Sequence, residues 1–320
     1  MQPRIYILLA TRNGQRFIAE QCASILAQDE PGWRLLVRDD GSTDDTAAII
    51  ERFAKRDSRI EILPGPERSS GSAAKNFGAL FQEAYARGAD YALPCDQDDV
   101  WLPEKLSVLL REIRALEGHV PGPALVHHDL TVVDEDLETL AESYWRMMRL
   151  SPGNEARPYR CLSRNEVTGC ASICNRALLE LALPIPAEAI MHDWWLAMCA
   201  GFFGKLGFIE RPLVRYRQHA DNAIGAQPFL AGLAPTTLAR NWRRGNAELR
   251  ATIRQAKVFR DRYRDRLDAR HQEGVLAYAS LFERNRFGRL RALTRSHAWR
   301  RNWLLDSALV MRLLTLERSG

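Results

Sequence analysis

The feature that most constrains the fold is an alternation, over the first hundred residues, of short apolar runs with stretches of helical periodicity. The apolar runs are typical of buried strands, and they occupy residues 5–10, 34–38, 60–63 and 91–95. The stretches with helical spacing between them are residues 17–28, 46–55 and 73–87. Strands that alternate with helices predict a Rossmann-like α/β fold, with a mostly parallel central sheet flanked by helices.

Polar residues follow three of these four strands, at the point where each strand ends. Thr11 follows the first strand, Asp39 and Asp40 close the second, and Asp96 opens an acidic run after the fourth. In parallel α/β sheets the ligand binds in the crevice outside the carboxyl ends of the strands. We therefore expect these side chains to converge on one binding crevice.

The acidic run after the fourth strand carries three carboxylates within four residues, at Asp96, Asp98 and Asp99. Mg²⁺ and Mn²⁺ prefer oxygen ligands, and such ions commonly bind one or two carboxylates together with substrate phosphates. The alternative is an acidic turn that caps the next helix, with Pro103 at its start. We predict a metal site at Asp96 and Asp98.

Other side chains near the strand ends are suited to a nucleotide. Asp39 or Asp40 could accept a hydrogen bond from the imide N–H of uracil or thymine, whereas residues 42–44 have the composition of a helix N-cap. Lys75 opens a predicted helix after a glycine-containing loop, a position where phosphate contact is plausible. The alternative for Lys75 is a purely structural role.

Two further groups are candidates for the chemical step. Asp193 opens an apolar helix, where Asp is usually a cap; a carboxylate held there could also deprotonate an acceptor hydroxyl as a general base. Arg217 lies near a later strand end, where a positive charge would stabilise a leaving diphosphate. His219, two residues on, could bind the metal. The alternative for both is a solvated basic strand end.

Charge is distributed unevenly along the chain. From residue 240 to the end there are 20 Lys and Arg against 8 Asp and Glu, and the remainder has 25 against 32. A basic tail on an acidic body suggests an anionic partner for the tail, either a membrane surface or nucleic acid. We find no nucleic-acid-binding module and therefore expect no nucleic-acid partner.

Targeting signals and disulfides are not expected. The apolar run at residues 5–10 is too short for a signal peptide, and no stretch approaches the length needed to span a bilayer. The six cysteines have irregular spacing and no C-x-x-C pair, so we expect reduced, mostly buried thiols. These features predict a cytoplasmic protein, soluble or peripheral at the inner face of the membrane.

Six short motifs match a known family in the same order. They are LATRNG at 9–14, RDDGSTD at 38–44, CDQDDVW at 95–101, VTGC at 167–170, MHDWW at 191–195 and YRQHADN at 216–222. On these motifs the chain resembles the family-2 inverting glycosyltransferases of the GT-A fold, over about residues 4–225. It is most similar to the branch that includes bacterial rhamnosyltransferases of cell-surface polysaccharide assembly.

The resemblance implies roles for the matching residues. Asp96 and Asp98 match the family's DXD metal motif, and Asp193 matches the base of its ED motif, with His192 in place of the usual Glu. The QxxRW motif of processive synthases is absent, which implies transfer of a single sugar. We expect the nucleotide sugar to contact Thr11, Asn13, Asp39, Asp40, Lys75, Asp96 and Arg217. We expect the metal at Asp96, Asp98 and His219, and the sugar or acceptor at Gly169, Trp194, Asp99 and Trp101.

The implied activity is inverting transfer of one sugar from a dTDP- or UDP-sugar to a hydroxyl of a saccharide or lipid-linked acceptor. Rhamnose from dTDP-rhamnose is one candidate donor. One alternative is a sugar-phosphate nucleotidyltransferase, which would need a glycine-rich basic loop where this chain has a single glycine, Gly14. A second alternative is a catalytically inactive module that binds an assembly complex through its basic tail.

The same features predict two domains. We expect a catalytic domain over residues 1–225 and a basic α-helical extension over residues 226–320, helical from about residue 233. Within the catalytic domain the pattern predicts strands at residues 124–128, 131–133 and 213–217 and a helix at residues 172–181. Within the extension, apolar residues interleave with arginines in a pattern that suits a helix at a membrane interface. The alternative is that the apolar stripe packs on the catalytic domain. The stripe consists of Leu290, Leu293, Trp299, Trp303, Leu304, Leu305, Leu309 and Leu313.

Overall fold

A computed structural model describes residues 3–66, 69–119, 122–152, 157–220, 238–300 and 302–316. Within these ranges the strands belong to one mixed sheet. They are β1 (Ile5–Thr11), β2 (Trp33–Asp39), β3 (Ile60–Leu63), β4 (Tyr91–Cys95), β5 (Val100–Trp101), β6 (Ala124–Val133), β7 (Thr139–Ala141), β8 (Ser172–Asn175) and β9 (Lys205–Arg217).

Helices cover both faces of the sheet in the catalytic part and form the whole of the described C-terminal part. The first eight are α1 (Ile18–Leu26), α2 (Thr46–Ala54), α3 (Ala73–Ala86), α4 (Lys105–Glu117), α5 (Tyr144–Met148), α6 (Arg157–Arg160), α7 (Arg176–Ala182) and α8 (His192–Phe203). The C-terminal four are α9 (Leu238–Tyr263), α10 (Ala269–Ala279), α11 (Arg286–Ser296) and α12 (Trp303–Thr315).

The first half of the sheet is parallel, as the alternation of strands and helices predicts. Strand β1 lies between β2 and β4, and β2 also pairs with β3, all in parallel register. Thr11 and Asp39 are register partners, so the polar ends of β1 and β2 lie side by side. The carboxyl ends of β1, β2 and β4 therefore meet at one edge of the sheet.

The second half of the sheet is mixed. The strand order is β3-β2-β1-β4-β8-β6-β9-β5, and β7 adds to β6. Strand β8 is antiparallel to both β4 and β6, β9 is parallel to β6, and the short β5 is antiparallel to β9. Because β5 follows β4 in the chain yet pairs with β9, the acidic run that joins β4 to β5 is held against the end of β9.

The structure corrects the sequence-based elements in three places. Residues 172–181, predicted as one helix, are strand β8 followed by helix α7, with Asn175 as the N-cap of that helix. Strand β6 is continuous over ten residues, where two shorter strands were expected. Strand β9 begins at Lys205, eight residues before the predicted start. In each case pairing with neighbouring strands determines the structure.

Helix α8 links the two predicted domains. It is buried on nearly all sides, which fits its apolar sequence. Trp195 lies 5.6 Å from Phe259 between ring centroids, and Phe202 lies 5.2 Å from the same ring. Helices α9 to α12 thus share one apolar core with the catalytic part. The predicted boundary at residues 225/226, and the expected helix start near residue 233, lie outside the described residues.

Candidate functional site

The crevice at the edge of the sheet is closed on one side by the loop after β1. Asp40 N donates to Thr11 O at 2.8 Å, which continues the β1–β2 pairing past the strand ends. Asn13 has a positive φ of 50°, and its backbone N–H donates to Ser42 Oγ at 2.8 Å. Gly14 N donates to Thr46 Oγ1 at 2.7 Å. The loop after β1 is therefore fixed to the loop after β2.

The same loop is also fixed to the acidic run, through Gln97. Thr11 Oγ1 donates to Gln97 Oε1 at 2.7 Å, and Arg12 N donates to the same oxygen at 2.8 Å. Gln97 Nε2 donates to Arg12 O at 3.1 Å. The Thr11 hydroxyl, which we expected to face the nucleotide, donates its hydrogen bond to the Gln97 amide oxygen.

Asp39 and Asp40 both accept hydrogen bonds within the loops that surround the crevice. Asp39 accepts from the N–H and the hydroxyl of Ser42, at 2.8 and 2.5 Å. Asp40 accepts from Ser69 Oγ and Ser70 N, both at 2.8 Å, and from Gly71 N at 3.1 Å. Burial alone would raise the pKa of Asp40, but these hydrogen bonds outweigh it and hold that pKa below its usual value. Asp40 thus orders the 69–71 loop, and Asp39 is the more accessible of the two.

The acidic run brings together Asp98 and His219, two of the three residues that we expect at the metal. His219 Nε2 lies 2.8 Å from Asp98 Oδ2. Burial, and then the charge of Asp98, raise the pKa of Asp96 to about 7. Ligand atoms of Asp96, Asp99 and Cys170 also lie within 4.8 Å of one another.

A divalent cation fits this set of residues. Asp99 is fully buried, its Oδ1 accepts from Arg217 N at 3.1 Å, and its Oδ2 has no hydrogen-bond partner in the part of the chain described. Burial and the charges of Asp98 and Asp96 raise the pKa of Asp99 well above its usual value. Crowded, partly unpartnered carboxylates of this kind are stabilised when a cation binds beside them.

A buried lysine lies directly under the acidic run. Lys105 is fully buried, and its ammonium donates to Cys170 O at 2.6 Å and lies 3.2 Å from the centroid of the Trp101 ring. Burial lowers the pKa of Lys105 to about 8, although the nearby carboxylates of Asp99 and Asp96 oppose that shift. Lys105 therefore supplies a positive charge behind the site and holds the Cys170 turn in place.

Arg217 braces the acidic run from the other side. Its side chain is buried, Nε donates to Asp98 O at 2.9 Å, and the guanidinium also bonds Glu20 and the carbonyl of Glu135. The guanidinium lies 4.5 Å from the centroid of the Phe17 ring. In this arrangement Arg217 fixes the backbone of Asp98, and its role beside the leaving diphosphate stays a prediction.

Asp193 lies in the first turn of α8 and is 8% exposed. Its Oδ1 accepts from Trp194 N at 2.6 Å. Burial raises the pKa of Asp193 to about 6, against hydrogen bonds from Trp194, Gly169 and Asn165 that lower it. The Asp193 charge in turn raises the pKa of Asp96, so the two carboxylates share one electrostatic environment. A carboxylate with a pKa near 6 is ionised at neutral pH yet basic enough to accept a proton.

His192 and Gly169 set the position of Asp193. The His192 ring lies 4.1 Å from that of Phe77, and both of its nitrogens are buried without a hydrogen-bond partner among the described residues. Burial lowers its pKa to about 3, so the imidazole is neutral. A Cβ on Gly169 would lie 2.7 Å from His192 Nε2, so only glycine lets this turn approach α8 so closely.

The remaining predicted residues are distributed unevenly around the crevice. Lys75 is exposed at the start of α3, where its N–H donates to Ser72 Oγ at 3.4 Å. Trp194 is largely buried, and its indole N–H donates to Cys161 O at 2.5 Å. Trp101 is 2% exposed and packs in the core over Lys105, so its ring is not available to a ligand in this structure.

Two residues that organise the site, Gln97 and Lys105, were not singled out from the sequence. The signal for Lys105 was present, because a lysine in the first turn of a helix opposes the helix dipole and predicts an unusual partner. The signal for Gln97 was only its position between two candidate ligands.

The family model described as Glycosyl transferase family 2 matches residues 6–180. Among curated proteins, dTDP-rhamnosyl transferase RfbG of Shigella flexneri is 28% identical over 243 residues, covering 73% of this chain and 79% of that protein. The putative teichuronic acid biosynthesis glycosyltransferase TuaG of Bacillus subtilis (strain 168) is 25% identical over 234 residues, covering 72% of this chain and 84% of that protein.

Solved structures support the fold. TarS 1–349 of S. aureus in complex with UDP-GlcNAc aligns with TM-score 0.55 and 15% identity, over 96% of this chain and 92% of that chain. Against a longer TarS chain the match covers 43% of that chain. Mannosyltransferase PcManGT of Pyrobaculum calidifontis, with GDP-Man and Mn²⁺, aligns with TM-score 0.51 and 16% identity, over 97% of this chain and 79% of that chain.

These likenesses confirm the predicted GT-A fold. The matched segment includes the crevice loops and the acidic run, which are the parts that the sequence motifs identified. Since the family model covers more than half of the 320 residues, the chain belongs to Glycosyl transferase family 2 and is a glycosyltransferase.

Proposed function

We propose that this glycosyltransferase moves one sugar from a nucleotide sugar to an acceptor hydroxyl, with inversion and with a divalent metal ion at Asp96 and Asp98. The observation that carries the proposal is the buried Asp193 carboxylate, whose pKa is raised to about 6 and which shares its electrostatic environment with Asp96. Asp193 can accept a proton while Asp96 helps to hold the nucleotide-sugar donor.

The chemical step follows from these positions. Asp193 accepts the proton of the acceptor hydroxyl while that oxygen forms a bond to the anomeric carbon of the sugar. The bond from that carbon to the diphosphate breaks on the opposite face, and the nucleoside diphosphate leaves with the electron pair. A bound Mg²⁺ or Mn²⁺ would supply charge stabilisation to the departing diphosphate. His219, beside Asp98, would complete the ion's ligands.

We propose a dTDP- or UDP-sugar as donor, with dTDP-rhamnose as the first candidate. The support is the similarity to a dTDP-rhamnosyl transferase and the carboxylate of Asp39 at the end of β2, suited to the imide N–H of uracil or thymine. We propose a saccharide or lipid-linked acceptor in cell-surface polysaccharide synthesis, on the similarity to a teichuronic acid biosynthesis enzyme.

The test is a screen of nucleotide sugars for donor hydrolysis or transfer in the presence of Mn²⁺. We expect a chelator to abolish turnover and added Mg²⁺ or Mn²⁺ to restore it. Asp98→Asn, which changes one oxygen ligand without changing side-chain volume, should lose both turnover and metal-dependent nucleotide binding. Full turnover in excess chelator would refute the metal-dependent mechanism.

We propose that the C-terminal helices contact an anionic membrane at the cytoplasmic face, through only part of the stripe predicted from the sequence. Leu293, Leu309 and Leu313 pack in the protein core, as the alternative interpretation had it. Trp303, which belongs to the stripe, and Phe287, which does not, are 74% and 79% exposed. No helix in the described ranges is long and apolar enough to cross a bilayer.

Charge supports a lipid surface as the partner of those outer faces. Residues 281–316 contain eight arginines and two acidic residues. On α11, Phe287, Arg291 and Arg295 follow at four-residue intervals and are all exposed, so they lie on one face. An aromatic side chain among arginines suits the interface of an anionic bilayer. Residues 317–320, the end of the predicted tail, lie outside the described residues.

A further inference from the structure

Gln97 lies between the two proposed metal ligands, yet its side chain contacts the opposite loop. Its amide forms two hydrogen bonds with the backbone of Arg12, one to the N–H and one to the carbonyl, at 2.8 and 3.1 Å. A third bond, from Thr11 Oγ1, is 2.7 Å long. All three are near ideal length, and together they satisfy the amide oxygen twice and the amide nitrogen once.

This pairing fixes the orientation of the peptide groups on either side of Arg12. A side-chain amide that bonds both the N–H and the carbonyl of one residue imitates the pairing of a β-strand. The loop after β1 is thereby held to the acidic run as if it continued the sheet. Thr11, whose hydroxyl donates to Gln97, is 2% exposed and adds little freedom of its own.

Gly14 leaves the space that the Gln97 side chain occupies. A Cβ on Gly14 would lie 2.7 Å from Gln97 Cδ, a distance that real Cβ atoms do not show. Gly14 has no positive φ in this structure. The glycine is therefore required by the close approach of Gln97, and not by the conformation of its own backbone.

The loop is held on its other side by the loop after β2. Asn13 N donates to Ser42 Oγ, and Gly14 N donates to Thr46 Oγ1. Ser42 in turn donates to Asp39, the accessible carboxylate that we propose for the nucleobase. A continuous set of hydrogen bonds thus runs from Asp39 through Ser42 and the loop after β1 to Gln97, which is joined covalently to Asp96 and Asp98.

We infer that Gln97 is a positioning residue that couples nucleobase binding to metal binding. The inference rests on the proposed function, because it takes the metal at Asp96 and Asp98 and the base near Asp39 as given. A metal ion that orders the acidic run also restrains Gln97 and, with it, the loop beside the base. A base that orders this loop restrains the acidic run in return, since coupling between two binding sites is reciprocal.

The test uses a nucleoside without phosphates, so that the ligand cannot touch the metal. Mn²⁺ affinity of the full chain is measured with and without saturating uridine or thymidine. In the wild type we expect the nucleoside that binds to tighten Mn²⁺ binding by about fivefold. In Gln97→Met, which keeps the length of the side chain but removes its hydrogen bonds, that factor should fall to about one.

A matched control comes from another glutamine of the same loop. Gln15→Met removes a bond that Gln15 Oε1 accepts from Asp45 N at 3.0 Å, outside the path between Asp39 and Gln97, so it should retain the coupling factor. Ser42→Ala removes the bonds to Asn13 and Asp39, which belong to that path, so it should lower the coupling factor. Gly14→Ala displaces Gln97 without altering its chemistry, and it should reproduce the loss of coupling. Thermal melting checks that each variant is folded. Because Gln97→Met and Gly14→Ala should both lose the coupling, the test remains decisive if one of them misfolds.

Each outcome decides a separate point. Equal coupling in wild type, Gln97→Met and Gly14→Ala would overturn the inference, as would a wild type in which nucleoside and Mn²⁺ bind independently. If the wild type binds neither Mn²⁺ nor a nucleotide, the proposed function itself fails. Mn²⁺ affinity in the absence of nucleoside should stay within about twofold in Gln97→Met, because the Gln97 amide bonds Thr11 and Arg12 and would not be a ligand of the ion.

Discussion

The catalytic crevice and the C-terminal helices differ in how their buried ionisable groups are hydrogen-bonded. In the crevice, burial raises the pKa of Asp96 and Asp193, and Asp99 keeps a buried oxygen without a described partner. In the C-terminal part, the buried guanidinium of Arg289 donates to Leu313 O at 2.9 Å and to Leu316 O at 2.6 Å. The unpartnered atom of Asp99 is a carboxylate oxygen that a cation would complete, whereas Arg300 Nε, which is buried without a described partner in the C-terminal part, belongs to a cationic group.

Local structure shows the same difference. The C-terminal helices begin with side-chain caps: Asp268 bonds His271 N, Asn285 bonds Gly288 N, and Asn302 bonds Leu304 N. Such caps stabilise a helix by roughly 1 kcal/mol each. Helix α8, which carries Asp193, has no side-chain cap at its N-terminal residue Met191. The first turn of α8 therefore carries the site residue Asp193 without a side-chain cap, whereas helices α10 to α12 have stabilising caps.

The largest expected effect is on the rate of transfer. Asp193→Asn removes the proton acceptor and retains the size of the side chain, so transfer should slow by about 10²- to 10⁴-fold. Donor affinity, measured by calorimetry with Mn²⁺ present, should change little. A variant that transfers sugar at the wild-type rate would make Asp193 a structural residue of α8.

The same substitution should increase the stability of the fold. Because burial raises the pKa of Asp193 to about 6, ionisation of this group opposes folding; the cost begins as pH rises above the unfolded-state pKa of about 4 and is complete above about pH 6. At pH 8, without ligand, Asp193→Asn should be more stable by roughly 2 to 3 kcal/mol. At pH 5 the gain should be roughly half as large. Denaturant melts at both pH values measure the gain in the free energy of unfolding. An equal gain at both pH values would contradict a raised pKa of Asp193 as its cause.

Arg289→Met tests the opposite side of the comparison. It removes the two hydrogen bonds from a buried charge to the end of α12, so unfolding should become easier by about 2 kcal/mol. Mn²⁺ and nucleotide affinities at low temperature should be unchanged, because the crevice does not contact this residue in the described structure. Loss of Mn²⁺ binding in a folded variant would show that the two regions are coupled.

The parts of the molecule that were predictable from sequence are those whose signals are local. Strands β1 to β4 are short apolar runs, three of them with polar ends, and the convergence of Thr11 and Asp39 follows from parallel pairing alone. Residues 172–175 have no such local signal: their strand exists because it pairs with β4 and β6 on either side. Pairing partners from distant parts of the chain outweighed helical periodicity there.

The site divides along the same line. Asp98 and His219 were both expected to bind the metal, and the structure brings them into contact. Lys105 contacts a carbonyl 65 residues away, and Gln97 contacts residues 85 and 86 positions away. The tail shows the converse ambiguity, because an apolar stripe among arginines fits a membrane and a protein core equally well. Burial of Leu309 and Leu313 resolves that ambiguity for those two residues.

A smaller effect is expected on the pH dependence of catalysis. Proton acceptance requires ionised Asp193, so kcat/KM should level off above about pH 7 and fall about tenfold between pH 7 and pH 5. The inflection should lie near pH 6, where the pKa of Asp193 is held by burial. Bound metal keeps Asp96 ionised, so Mn²⁺ must be saturating at every pH. The residual activity of Asp193→Asn should lack this inflection. An inflection that persists in the variant would belong to another ionisable group.

The smallest effect is expected at the outer face of α11. Arg291 is exposed beside Phe287, and replacing one arginine near an anionic surface should weaken binding by about 1 kcal/mol, or about fivefold. Liposome sedimentation at low salt, with the full chain and anionic vesicles, compares Arg291→Gln with Arg56→Gln, which removes an exposed arginine just after α2. Only the first should bind more weakly, and added salt should abolish the difference. Equal binding of the two variants, or equal binding to neutral vesicles, would mean that the arginines of α11 are merely solvated. The C-terminal helices would then differ from the crevice in stability alone, without a ligand of their own.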